Sequence, residues 1–258
     1  MVEAMSGRLT VIGLGPGSTS HLTPEASEAL RLADVVYGYG PYLDRVPDRV
    51  GQRRHASDNR QEMDRANLAL SDAANGANVA VVSGGDPGVF AMASAVCEAM
   101  ERGPANWRNV DLAIVPGITS MLALAARVGA PLGHDFCVIS LSDNLKPWTL
   151  VEQRLRAAAG AGFVIAVYNP ISRSRPWQLD HAFDVMRAHL PLETPVVFGR
   201  AISRPDEAIR VTPLSAAVGA YADMATCIIV GSAQTRVLER PERSALVYTP
   251  RSQPALST

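Results

Sequence analysis

The chain has 258 residues, 47% hydrophobic and 19% charged, with a formal net charge of -1. That is enough for one large or two modest globular domains, and the near-neutral balance speaks against a protein that coats nucleic acid or lies on a membrane surface. Cys97, Cys137 and Cys227 are widely spaced and the five histidines fall into no metal-ligand pattern, so neither a disulfide framework nor a metal is expected. With no charged leader and no apolar run of about 18 residues, the expectation is a cytoplasmic protein with no membrane or nucleic-acid partner. Lys146 is the only lysine. Arginine's planar fork suits a polycarboxylate ligand, although a codon bias toward arginine explains the same composition equally well.

Arg8 to Leu14 is a short β-branched run that stops at Gly15-Pro16-Gly17. Thr23-Pro24-Glu25 then opens a helix to about Leu32, with Thr23 placed to cap it and Pro24 at the first helical position. The glycines invite a dinucleotide reading. The last glycine of G-x-G-x-x-G falls on Ser18, however, and the next strand, Val35 to Tyr39, runs into Gly40-Pro41 where a ribose-binding acid should stand. A nicotinamide cofactor is therefore set aside. Tyr42 to Gln61, with Arg45, Arg49, Arg53, Arg54, His55 and Arg60, reads as a solvated loop whose arginines could instead receive acidic substrate groups. Glu62 to Ala74 follows as a helix, ended near Gly76.

The apolar run Val79 to Val82 breaks into Ser83-Gly84-Gly85-Asp86-Pro87-Gly88-Val89-Phe90. Alone, this octapeptide is a tight turn. After a buried strand it also puts bare peptide groups and one carboxylate at the carboxyl end of a sheet, where open α/β folds keep their ligands. Ala91 to Arg102 reads as a helix, and Asp111 to Val115 as a strand ending in Pro116-Gly117. Ile118-Thr119-Ser120 then precedes an alanine-rich helix, with Ser120 a candidate cap. The pattern is three βα repeats, each β-run ending in a glycine turn.

Beyond Gly133 strands become denser than helices. Strands are predicted at 136–141, 163–168, 195–198, 208–211 and 226–231, and helices at 150–159 and 177–189. The fold class expected is α/β in two domains: residues 1–120 with a mostly parallel sheet, residues 121–240 with a mixed sheet, and a loosely held tail at 241–258.

Gly13-Leu14-Gly15-Pro16-Gly17 with Leu22-Thr23, the 83–90 octapeptide, Pro116 to Ser120, and Tyr168-Asn169-Pro170 together resemble the tetrapyrrole methylase family of S-adenosylmethionine-dependent enzymes. Residues 141–148, 168–175 and 199–207 are similar to those members that methylate and contract a polycarboxylate macrocycle; Lys146 departs from that pattern, where a small hydroxyl residue is expected. The resemblance implies a homodimer of two-domain chains with S-adenosylmethionine in the cleft between domains and S-adenosylhomocysteine as product. It implies a cofactor pocket lined by Pro16, Gly84, Gly85, Asp86, Phe90, Thr119, Ser120, Tyr168, Ala201 and Thr226. Arg45, Arg53, Arg54, Arg60, Arg173 and Arg200 are the candidates for substrate carboxylates. Ring contraction needs a proton donor and a base, for which Asp86, Ser57 and Thr119, with His55 and Asp58, are the candidates, Asp86 being preferred. A sister enzyme acting at another ring carbon and a non-catalytic tetrapyrrole-binding protein remain the alternatives.

Overall fold

The structure, a computed structural model, describes residues 7–252. The chain divides into two compact units, the first ending at Thr119 and the second beginning at Ser120.

In the first unit, strands β1 (Arg8–Gly13), β2 (Val35–Tyr39), β3 (Arg53–Ser57), β4 (Val79–Ser83) and β5 (Asp111–Val115) form one sheet in the order β3-β2-β4-β1-β5. Every pairing in it is parallel. Helices α1 (Pro24–Leu32), α2 (Gly40–Leu43), α3 (Glu62–Ala74) and α4 (Met92–Arg102) connect the strands. The period-2 alternation of a strand divides the core between the two faces. Leu9, Val11, Val79 and Val81 pack with Leu70 of α3 and Val96 of α4, whereas Ile12, Ala80 and Val82 pack with Ala26 and Leu30 of α1. The adjacent strands β1 and β4 thus send their chains to opposite faces of the sheet, the kind of switch point beside which open α/β sheets bind ligands. The α1 start is as expected: Thr23 Oγ1 accepts from the Ala26 N–H at 3.1 Å, with Pro24 at the first helical position.

The basic segment 42–61 is not one loop. It begins in α2 and contains β3, whose register places Arg53 beside Val35 and Ser57 beside Tyr39. Apolar patterning cannot reveal β3, because it is an edge strand with all five residues partly or fully exposed. Its charges guard an edge that would otherwise pair with another chain.

The second unit contains α5 (Ser120–Val128), β6 (Gly129–Ala130), β7 (Phe136–Ser140), α6 (Trp148–Gly160), β8 (Val164–Tyr168) and α7 (Gln178–Arg187). There follow β9 (Pro195–Arg200), β10 (Ala208–Pro213), β11 (Thr226–Val230), β12 (Arg236–Arg240) and β13 (Arg243–Tyr248). Its main sheet runs β10-β9-β11-β8-β7; β7 and β8 are parallel and the other pairs antiparallel. Leu155 of α6 and Leu179, Phe183 and Met186 of α7 are fully buried in the core over this sheet. Residues 243–248 depart from the expected loose tail. They form β13, in a hairpin with β12 through Pro241-Glu242, where Glu242 has φ 59°, and in parallel pairing with β6. Most of this hairpin is exposed, so its sequence lacks a buried strand's apolar signature. No helix among the described residues is long and apolar enough to cross a membrane.

Burial separates the three thiols. Cys97 is exposed, whereas burial raises the Cys137 thiol above its ordinary value and pushes Cys227, in the middle of the main sheet, up to about 12. A disulfide-exchange reagent at pH 8 should therefore modify Cys97 within the mixing time of a stirred cell and Cys227 only as fast as the protein unfolds. Rapid native labelling of Cys227, read by peptide mass mapping, is the contrary result.

Candidate functional site

Three glycine turns meet at the carboxyl ends of β1, β4 and β5. The β1–β4 pairing continues past both strands: the Leu14 N–H donates to Ser83 O at 2.9 Å, Gly15 N–H to Gly85 O at 3.1 Å, and Gly85 N–H to Gly15 O at 2.9 Å. Gly15 and Gly85 sit at φ 67° and 65°, in the left-handed region that disfavours any residue with a Cβ. The turn after β5 lies against this seam so closely that a Cβ on Gly117 would stand 2.2 Å from Gly85 O, and one on Gly13 would stand 2.7 Å from Gly117 N. Neither contact is sterically possible, so the three turns approach backbone to backbone.

Asp86 ties them together. Its Oδ1 accepts from the Gly88 N–H at 2.8 Å and its Oδ2 from the Gly117 N–H at 3.1 Å, so one carboxylate spans the β4 and β5 turns. On the β1 side, Arg45 Nη2 donates to Leu14 O at 2.6 Å and Gly15 O at 2.9 Å. The Tyr42 ring covers Gly84, where a Cβ would come within 2.7 Å of it. Phe90, half exposed, holds φ 50°, an unfavourable conformation for an aromatic residue and a sign of local strain at the rim. Thr119 is buried at the end of the unit.

Among the other candidates of this unit, Ser57 Oγ accepts from Arg65 Nε at 2.8 Å, and Arg65 Nη2 donates to Asp58 O at 2.8 Å. Arg65 is 3% exposed, and burial lowers its pKa. Sequence reading missed it because an arginine inside an amphipathic helix ordinarily faces water. His55 stacks on Tyr37 with ring centroids 4.8 Å apart. Arg53 lies 3.6 Å from Asp72, and Arg54 bonds Asp48 and the carbonyls of Leu43 and Val46. Arg60 is exposed. Arg45 and Arg54 thus bind main chain of their own unit, and Arg53 an acid of its own unit.

In the second unit, α5 begins at Ser120 itself, and its second residue, Met121, donates its N–H to Tyr168 Oη at 2.9 Å. Tyr168 therefore serves a free amide of the first helical turn. Asn169 and Ala201 follow β8 and β9 at φ 50° and 49°. Asp223 joins this end of the sheet together: it accepts from Arg200 Nε at 2.7 Å, Thr226 Oγ1 at 2.8 Å and Ala225 N–H at 2.9 Å. Partial burial opposes ionisation, but the bonds from Arg200, Thr226 and Ala225 hold its carboxyl below the ordinary value. Arg200 also bonds Asp206 at 2.8 Å, and its pKa is raised by the Asp223 and Asp206 bonds. Arg173 is exposed on the β8–α7 connection.

Gly117→Ala should cost about 2–3 kcal/mol or more by overpacking, whereas Gly40→Ala, with nothing within 4 Å of its Cβ position, should stay within about 0.5 kcal/mol of the parent; urea unfolding measures both. Asp223 has a depressed folded-state pKa, so its stability contribution is present above the ordinary value of 3.8 and is lost as pH falls through the folded-state pKa. Asp223→Asn should therefore be less stable than the parent at pH 7, by about 1 kcal/mol after allowance for solvent screening, with the gap narrowing as pH falls below 3.8.

A family model described as Tetrapyrrole (Corrin/Porphyrin) Methylases matches residues 8–218. A precorrin-3B C(17)-methyltransferase of Sinorhizobium sp is 62% identical over 247 residues, 96% of this chain and 97% of that protein. A cobalamin biosynthesis protein of Mycobacterium tuberculosis, CobIJ, is 48% identical over 97% of this chain but 49% of its own length. The crystal structure of the methyltransferase CobJ matches with a TM-score of 0.90 and 49% identity, over 95% of this chain and all of that one. A uroporphyrin-III C-methyl transferase from Thermus thermophilus, solved in complex with S-adenyl homocysteine, shares the fold at 24% identity and a TM-score of 0.65, over 87% of this chain and 92% of that one. On these matches the chain belongs to the tetrapyrrole (corrin/porphyrin) methylase family.

Proposed function

We propose that this chain transfers a methyl group from S-adenosylmethionine to ring carbon 17 of precorrin-3B and contracts the macrocycle in the same turnover, giving precorrin-4 for cobalamin biosynthesis. The observation that carries this reading is the 62% identity to a precorrin-3B C(17)-methyltransferase across nearly the full length of both chains. The family resemblance further implies a cytoplasmic homodimer, which we adopt as part of the proposal.

What supports the cofactor reading is a rim of three turns that pack backbone to backbone without Cβ atoms, with one carboxylate bonded to two of their amides. S-adenosylmethionine, when bound, supplies an electrophilic methyl group on a sulfonium. In the first unit we assign its binding to Pro16, Gly84, Gly85, Asp86, Phe90 and Thr119, and in the second to Ser120, Tyr168, Ala201 and Thr226. The chain's part in the displacement is alignment, and proximity alone can supply about 7–11 kcal/mol of such a barrier. A carboxylate paired with the sulfonium would stabilise the ground state and slow transfer. Asp86 avoids this by spending its charge on the Gly88 and Gly117 amides, and we assign it as a positioning residue.

Ring contraction needs a proton held and released. Ser57 accepts from the Arg65 guanidinium, which leaves its own hydroxyl proton for a second acceptor. We assign Ser57 as the proton donor in preference to Asp86. Arg60 and Arg173, both exposed, are better placed to meet substrate carboxylates than Arg45, Arg54 or Arg200, whose guanidiniums bind the chain itself.

Titration with S-adenosylhomocysteine should give one site per chain with micromolar-range affinity, about -8 kcal/mol, and incubation with precorrin-3B and methyl-labelled cofactor should place the label on carbon 17. Absence of both removes the proposal. Asp86→Asn should weaken S-adenosylhomocysteine about tenfold and slow turnover in parallel; unchanged affinity with abolished turnover would instead make Asp86 a catalytic acid or base.

A further inference from the structure

Lys146 feels two guanidiniums and one carboxylate in the second unit. Lys146 lies half-buried on the β7–α6 connection, Arg154 is exposed on α6, and Arg175 is buried on the β8–α7 connection. Burial and the nearby guanidiniums of Arg154 and Arg175 push the Lys146 ammonium below its ordinary value, with Asp143 alone acting the other way. Asp143 is already engaged: Arg175 Nε lies 3.8 Å from it, and Gln178 Nε2 donates to it at 3.3 Å. Among the described residues no ion pair or hydrogen bond reaches Lys146 or Arg154. The cluster therefore carries an excess of positive charge that the chain leaves unanswered.

Two buried polar atoms at the starts of α6 and α7 are also unanswered. Gln178 is 3% exposed, and while its Nε2 holds Asp143 its Oε1 has no partner. The indole Nε1 of Trp148, two residues after Lys146, is buried without an acceptor. Such a group costs about 1–3 kcal/mol unless something outside the chain completes it. The Trp148 ring is fixed in place by edge contacts with Trp177 at 5.3 Å and His181 at 5.9 Å between centroids. Trp177 is half exposed, an apolar surface beside the charges. These residues follow the carboxyl ends of the parallel strands β7 and β8, the edge at which such sheets bind ligands.

We infer that Lys146 and the Trp148 indole N–H receive a side-chain carboxylate of the tetrapyrrole substrate, with Trp177 against the apolar periphery of the macrocycle. The inference rests on the proposed function and assigns residues that set substrate choice within it. The cofactor's methionine part also carries a carboxylate, and the test separates the two sources.

Because Lys146 is the only lysine, reductive methylation with carbon-13 formaldehyde labels it together with only the chain's α-amine. Uroporphyrin III, a stable octacarboxylate, should displace the Lys146 methyl resonance, and S-adenosylhomocysteine should leave it in place. Lys146→Met and Trp148→Phe, which keeps the ring and removes only the N–H donor, should each weaken uroporphyrin III about tenfold and leave S-adenosylhomocysteine affinity unchanged. Porphyrin binding that quenches tryptophan fluorescence without moving the Lys146 signal overturns the inference. So does a shift produced by S-adenosylhomocysteine alone, or failure to bind porphyrin by protein that binds S-adenosylhomocysteine. A Lys146 shift with porphyrin in protein that neither binds S-adenosylhomocysteine nor transfers methyl supports the subsite while removing the methyltransferase reading.

Discussion

The constraint on which the first unit depends is the close approach of three turns at one end of its sheet. β1, β4 and β5 are neighbours, so their exits compete for the same space. Gly13, Gly85 and Gly117 resolve this by removing side chains altogether, and the Gly15–Gly85 seam turns the competition into hydrogen bonding. Strand pairing then extends beyond the sheet into the rim of turns. Rim shape is thereby set by the same forces that hold the fold. Asp86 completes the arrangement by satisfying amides on two turns at once, and a group so employed is better suited to positioning than to proton transfer.

Arginine has a different use from the one its abundance suggests. Arg45 bonds the carbonyls of Leu14 and Gly15, Arg175 those of Leu141 and Asn169, and Arg187 those of Leu214 and Ala217. In each case one guanidinium gathers two carbonyls at the ends of strands and turns, Arg187 through Nε and Nη2 and Arg45 and Arg175 through one nitrogen each. Arg65 does similar work for Ser57 and Asp58 from a buried position. The single lysine sits instead where no group among the described residues is paired with it, which is what marks the β7–α6 connection as a place for an external carboxylate.

The glycine turns, the order of βα repeats, the mixed second sheet and the α1 cap were legible because each depends on local chemistry: a β-branched run, a residue able to hold positive φ, a hydroxyl before Pro24. β3 was not, since an exposed edge strand has no apolar pattern to read. The β12–β13 hairpin was hidden for the same reason, its proline suggesting a tail. The partners of Arg45 and Arg65, Gly117 for Asp86 and Arg200 for Asp223 lie between 7 and 31 residues away, and no spacing rule encodes them. Residue type singled out Asp86 and was silent on which amides it would hold.

Native-state hydrogen exchange at the amides of Gly15, Gly85 and Gly117 in the ligand-free chain tests the central claim most directly. If the turns form one preorganised seam, these amides should exchange as slowly as Val81 in the middle of β4, and Asp86→Asn should speed Gly117 by tenfold or more while leaving Val81 unchanged. Exchange of all three as fast as the exposed turn at Gly51 would contradict preorganisation and show that the rim is assembled only when ligand binds.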